Sequence, residues 1–444
     1  MHNREEERLH NLNKKLEEAE FPAGKIDQAI REGIHKAHRS KKPDYLWKGI
    51  LAAAVILLTV FISSIRVSEA FADYVSTFPG MDKIVEMVRQ DKGLMSIIEN
   101  DYVQEVKNSV THQGIKITLH SLIADEEQLV LFYSVETERQ FDNLQIERIR
   151  VKNAAGKEVP YTSLSFASLD TEEPNMYQSD YGLRKPLMGE EYSVVMEMRD
   201  DEGALAEEWN IPFEIDQRKV GKTKVKNINK EYLIEGQKIV VKQMEISPTR
   251  IGVEFHFPEE NTKRIFDIED LRLVDEKGET WSRISNGLVA SGDFQEKTYY
   301  LQSNYFEEPK ELDLVFNTIR ALEKGKLEVQ VDTDNLKILQ APDERLAKVE
   351  YEEAFDNGGA LLFSWDQDYE QANHMNPINS YKNADGEEKE LHSQYHEGAG
   401  SDMVPRFGFP YDRSENPGGM ISFELQDYPS WIKGEVKIPV IIEK

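Results

Sequence analysis

From about residue 104 onward, apolar and polar positions alternate with period two, interrupted by Gly, Asn and Asp at short intervals. That pattern predicts half-buried antiparallel strands joined by tight turns. The N-terminal part follows a different rule. Leu9, Leu12 and Leu16 fall on one helical face, and after the breaker Phe21-Pro22-Ala23-Gly24 the residues Ile26, Ala29, Ile30, Ile34 and Ala37 form a second stripe. Gly49 to Ile65 is then a run of 17 residues without a charge. As a helix it spans about 26 Å, close to the hydrocarbon thickness of a bilayer. Beyond it, Ile84, Val85 and Val88, then Leu94, Ile97 and Ile98, keep helical spacing around the break Asp91-Lys92-Gly93.

The strand-like region matches itself. Gly114-Ile115-Lys116-Ile117 corresponds to Gly236-Gln237-Lys238-Ile239, and Leu129, Leu131 and Tyr133 to Ile251, Val253 and Phe255. Arg150-Val151 corresponds to Arg272-Leu273 and Gly156 to Gly278, all at the single offset of 122 residues. One offset held through four strand-like segments indicates a duplication. A weaker third copy follows, in which Leu361, Phe363 and Gly386 match Val253, Phe255 and Gly278, and Lys382 to Gly386 echoes Lys152 to Gly156. Each copy is expected to close on a similar strand: Ile211-Pro212-Phe213, Leu327-Glu328-Val329 and Val436 to Val440. The expected architecture is mainly β: N-terminal amphipathic helices, one transmembrane helix, a helical stalk, then tandem immunoglobulin-like antiparallel β-sandwich repeats strung as beads. The corresponding boundaries are a cytoplasmic tail at 1–45, a transmembrane helix at 46–66, a juxtamembrane stalk at 67–103, and repeats at 104–218, 222–333 and 337–444.

Charge orients this layout. Arg39, Lys41, Lys42 and Lys48 precede the apolar run, with Tyr45 and Trp47 at its edge, which keeps the N-terminus in the cytoplasm and exports the rest. A signal peptide cleaved after Ala70-Phe71-Ala72 is the alternative to a permanent anchor. The chain carries a net charge of −28, and residues 1–48 hold 11 Lys/Arg against 9 Asp/Glu, so the acidity lies in the exported part. Such a surface stays soluble and repels nucleic acid and anionic lipid. Cysteine is absent, which removes disulfides and thiol chemistry and suits a bacterium that does not rely on disulfides.

Motifs for chemistry are sparse. There is no phosphate-binding glycine loop. Ser430-Trp431-Ile432-Lys433 matches a serine-enzyme tetrad only by pattern, and His392 and His396 have metal-ligand spacing only if helical. Neither a catalytic residue, a metal site nor a cofactor is expected. The Gly-, Pro- and aromatic-rich stretch from Gly398 to Gly419 (Phe407, Phe409, Tyr411) is expected to be a long loop and the best external contact surface.

Val67 to Ala72, Phe78-Pro79-Gly80-Met81, Ile84-Val85 and Asp91-Lys92-Gly93-Leu94 resemble an uncharacterised family of Gram-positive membrane proteins, most clearly from Trp47 to Glu136. The resemblance implies a short cytoplasmic tail, one plasma-membrane anchor and an exported β-rich region. Members are often encoded beside extracytoplasmic-function sigma factors, which they are thought to regulate. The chain departs from well-characterised anti-sigma factors in having no zinc-binding His/Cys motif and a shorter tail. The expectation is a single-pass membrane regulator that senses an envelope ligand. Leu9, Leu12, Leu16, Ile26, Ile30 and Ile34 would contact a cytoplasmic partner, a sigma factor in the first instance. The alternative is an envelope-binding spacer with no signalling role.

Overall fold

The computed structural model describes residues 81–440, apart from 139–140, 142, 170–175, 202, 285–288, 308, 354–358, 366–374, 398–404, 415 and 417–418. The helices expected in the tail, with Leu9, Leu12, Leu16, Ile26, Ile30 and Ile34, and the apolar run 49–65 lie outside the described residues. Among the described residues no helix is long and apolar enough to cross a membrane.

The described chain is mainly β, with antiparallel sheets that pair into three two-sheet units. In the first, Ile115–Ala124 and Gln128–Thr137 form the centre of a five-stranded sheet with Gln104–His112, Met176–Leu183 and Tyr161–Phe166. Gln145–Asn153, Glu191–Asp200 and Gly203–Glu214 form the facing sheet. Period-two side chains from both sheets (Ile117, Leu131 and Tyr133 against Val151, Val194 and Ile211) make one core. The second unit repeats this plan. Gln237–Ile246, Ile251–His256 and Glu296–Leu301 are central in one sheet, and Leu312–Glu323 is central in the other.

Three turns show the repetition atom by atom. Asn153 Oδ1 accepts from the Ala155 and Lys157 amides, Asp275 Oδ1 from Lys277 and Glu279, and Asn383 Oδ1 from Asp385 and Glu387. In each turn the glycine three residues on (Gly156, Gly278, Gly386) takes a positive φ of 73°, 81° and 82°. An Asx side chain and a glycine free of Cβ strain are what such a turn requires.

The closing strands depart from the sequence expectation. In the first unit Glu191–Asp200 turns directly into its closing strand, with Ser193 opposite Pro212 and Val194 opposite Ile211. In the second, Leu312–Glu323 passes through the short 3-10 turn Lys324–Lys326 into Glu328–Asp332. That strand does not fold back. It pairs with Met420–Glu424 in the third unit, placing Val329 opposite Phe423. After Met420–Glu424 the chain returns, and Trp431–Pro439 pairs with Leu312–Glu323, with Asp313 opposite Pro439 and Leu314 opposite Ile438. The second and third units thus exchange closing strands, and Leu327-Glu328-Val329 closes the third unit rather than the second. The arrangement is an interlocked pair, not a string of beads.

The crossing point is pinned by charge. Arg320 donates through Nε and Nη2 to both carboxylate oxygens of Asp427, at 2.6 and 2.9 Å, and through Nη1 to Glu269 at 2.7 Å. A bidentate, largely buried fork of this kind fixes geometry as well as contributing energy. The backbone closes around it, with Ala321 donating to the Ser430 carbonyl and Leu425 to that of Leu327.

Two further expectations are corrected here. Arg406–Pro410, inside the stretch expected to be a loop, is a strand between Ala360–Trp365 and Tyr395–Glu397. Phe407, Phe409 and Tyr411 are buried in the third core, because their period-two spacing places them on one sheet face. The helices Met81–Val88 (α1) and Lys92–Glu99 (α2) form as their apolar spacing predicts. They are not a free stalk, since Ile84, Val88, Leu94, Ile97 and Ile98 are all buried.

Trp431–Pro439 and the residue after it bury Ile432, Val436, Ile438 and Val440. At about 1.5–3 kcal/mol per side chain this is roughly 6–12 kcal/mol, comparable to the whole stability of a typical domain. A chain ended before Trp431 is therefore expected to lose amide-exchange protection along Leu312–Glu323 while keeping it in Gln128–Thr137. Unchanged protection in Leu312–Glu323 would contradict the exchange.

Candidate functional site

The most elaborate polar constellation lies where α1, α2, the first unit and the second unit meet. Two equivalent hairpin turns dock there. Asp125 ends Ile115–Ala124 and corresponds, one repeat later, to Ser247. Both make the same turn, Asp125 N–H to Gln128 O and Ser247 N–H to Arg250 O. Asp125 is fully buried and its carboxylate receives four hydrogen bonds. The Glu127 and Gln128 amides donate to Oδ1, and the Thr249 amide and hydroxyl of the second unit donate to Oδ2, at 2.9 and 2.6 Å. Burial pushes this carboxyl up, and the donors oppose the push. The linker crosses the same place. A Cβ on Gly221 would lie 2.1 Å from Pro248 Cγ, so the close approach requires glycine.

The helices close the third side. Asp91 caps α2 by accepting from the Leu94 amide at 3.0 Å, the usual role of an acid at that position. Gln302 donates to the Gln90 carbonyl, and Lys92 donates to the Thr280 carbonyl and to Glu279. A Cβ on Gly93 would meet the Ser303 amide at 2.7 Å. Between these elements lies a cavity of about 50 Å³, lined among others by Asp91, Leu94, Gln128, Asp180, Thr249 and Arg250. It has room for a few water molecules.

Its electrostatics are unusual for a packing junction. Burial pushes the Asp91 carboxyl up to about 6, against its backbone hydrogen bonds and with a smaller push from the Asp180 charge. Burial also raises Asp180, which accepts from Gln128, Gln178 and Ser165. Arg250 is 4% exposed, lies 4.1 Å over the Tyr300 ring and donates to the Glu127 carbonyl. Its Nε is buried without a hydrogen-bond partner. The chemistry available is proton uptake and water binding at an interdomain contact. Nothing in it resembles a nucleophile with its base.

None of the sequence candidates falls at this junction. The six tail residues lie outside the described residues. His396 sits in the strand Tyr395–Glu397, not on a helix turn with His392, and among the described residues no group of His, Asp and Glu is arranged to hold a metal. Lys433 belongs to the strand Trp431–Pro439 and Ser430 lies just before it, so the tetrad does not open a helix as the serine-enzyme pattern requires. The junction residues escaped sequence reading because Asp91, Asp125, Asp180 and Arg250 are far apart along the chain. The one available signal was polar residues at hairpin turns.

Residues 41–137 match the model of a domain of unknown function (DUF4179), and residues 223–350 that of a family of unknown function (DUF5643). No protein of curated function matches the chain. Among solved structures, the crystal structure of the conserved domain protein from Bacillus anthracis is similar at 15% identity with a TM-score of 0.36, over 59% of this chain and 85% of that one.

The acid at the helix cap sets a pH dependence. Its folded value lies above the ordinary carboxylate value, so folding favours the protonated form. Stability from this group is full below about pH 4 and lost as pH rises through about 6. A shift of this size corresponds to about 3 kcal/mol at most. Asp91→Asn keeps the cap and removes the titration. Denaturant melts are expected to show the variant more stable than the parent by about 2–3 kcal/mol at about pH 7.5, the gap closing by about pH 4. A gap independent of pH would refute the assignment.

Proposed function

We propose that the chain is a single-pass plasma-membrane regulator. Its immunoglobulin-like exported units sense an envelope ligand or envelope state. Its cytoplasmic tail holds a partner through Leu9, Leu12, Leu16, Ile26, Ile30 and Ile34, the first candidate being an extracytoplasmic-function sigma factor. The supporting observation is the junction. Helices α1 and α2 follow the apolar run in sequence and are held by contacts to both the first and second units. A ligand that altered how those two units meet would alter the helices nearest the anchor. Coupling of this type needs a differential contact in two arrangements, and a titratable junction beside a cavity with room for water is suited to supply one. The uncharged run at 49–65 and its basic flank support the orientation, and the family match from residue 41 to 137 takes in that run, α1, α2 and the Asp125 turn.

An envelope-binding spacer is the second reading. The exchanged strands favour it, since they make the second and third units one inseparable piece.

The tail decides between them. The wild-type tail is expected to retain the sigma factor encoded beside it on co-purification, and Leu12→Asp with Ile30→Asp to abolish retention. A wild-type tail that retains nothing, with transcription unchanged on deletion of residues 1–40, would refute the regulator reading.

A further inference from the structure

One segment breaks the acidity of the exported region. Between Gln217 and Lys230 stand Arg218, Lys219, Lys222, Lys224, Lys226 and Lys230, with no Asp or Glu among them. The segment is the linker into the second unit and the strand Lys224–Ile234, which lies at the edge of its sheet and pairs only with Gln237–Ile246. Register places Lys224, Lys226 and Lys230 opposite Ile246, Met244 and Val241, so the three share one face of the strand. Their stems run along the margin of the core while the ammonium groups reach solvent. Successive positions two apart stand about 6.6 Å apart along a strand, so Lys224 to Lys230 spans at most about 20 Å, with Lys222 just before the strand.

Three of these cations are uncommitted. Lys224 donates to the Tyr305 carbonyl and lies 4.0 Å over its ring, Lys219 pairs with Asp101, and Arg218 with Asp216. Lys222, Lys226 and Lys230 make no ion pair among the described residues. Lysines on an edge strand also guard against strand-to-strand aggregation. That need does not select a sign. The edge strand Gly203–Glu214 carries Glu207, Glu208 and Glu214 and no base, and Gln104–His112 carries one Lys and one Glu.

We propose that the Lys222–Lys230 stripe is a docking line for a linear phosphodiester polymer. A row of cations along one narrow line, with no acid between them, matches a chain of phosphates. The strongly acidic surroundings discriminate by shape: a flat anionic bilayer meets the whole repelling surface, whereas a thread meets only the stripe. This names a ligand class for the sensing region and rests on the reading above only for where the polymer is encountered.

The test uses the full-length chain in uncharged detergent, with poly(glycerol phosphate) as probe, titrated at about 50 mM and about 200 mM salt. Binding is expected, weakening steeply with salt. Lys222→Gln, Lys226→Gln and Lys230→Gln together are expected to cost roughly 100-fold in affinity. The control triple Lys157→Gln, Lys185→Gln and Lys337→Gln, with the same change in net charge, is expected to stay within about threefold. These lysines are surface groups, so both triples should melt with the parent. No polymer binding by the parent, equal losses in the two triples, or tighter binding to anionic vesicles than to the polymer would each overturn the proposal. Tail co-purification is blind to the stripe, so failure here and failure of the regulator reading are separable.

Discussion

A strand in the middle of a sheet must satisfy its hydrogen-bonding groups on both edges, and that constraint on Leu312–Glu323 organises the later half of this molecule. One edge is met locally by Lys263–Ile268 and Arg272–Asp275. The other is met only by Trp431–Pro439, after the third unit has been built. Had the chain turned back at Lys324–Lys326, as the first unit does after Asp200, the second unit would be self-contained. Because it does not, each of the two later units holds a strand whose sequence neighbours belong to the other. Stability of the pair is then shared, and the Arg320–Asp427 fork stands where the two exchanged connections pass.

The first unit is tied to this pair by different means. Its contact with the second is small and polar, built on two homologous turns, a glycine linker and a carboxylate buried with four donors. Such a contact is costly to leave half-made, since the buried Asp125 would keep its desolvation penalty and lose donors. Next to it, Asp91, Asp180 and Arg250 line a small polar cavity, and burial raises both acids. The interlocked second and third units are thus joined to the first unit and to α1 and α2 through a contact that carries two acids raised by burial.

The duplication was legible because inward-facing positions and Asx–Gly turns recur at fixed offsets, and both are local. The strand exchange was not, because a period-two segment carries no label for its partner. Leu327-Glu328-Val329 alternates as well as a true closing strand does. A finer signal was present: Ile211-Pro212-Phe213 and Ile438-Pro439-Val440 share a proline at the same register, opposite Ser193 and Asp313, and Leu327-Glu328-Val329 does not. Edge strands tolerate that proline, which marks the segments that close equivalent sheets. Phe407, Phe409 and Tyr411 were also legible at spacing two, but glycine and proline nearby outweighed them. The helix spacing of α1 and α2 showed which faces are apolar, not what covers them.

The absence of cysteine allows the exchange to be measured without background. Val315 and Lys437 face each other across the exchanged pair, at a separation that a disulfide spans. With Val315→Cys and Lys437→Cys introduced together, mild oxidation of the folded chain is expected to give a monomeric, internally cross-linked species that reduction reverses. If the two thiols stay free in the folded protein, or bond only between chains, the exchanged closing strand does not exist and the account built on it fails.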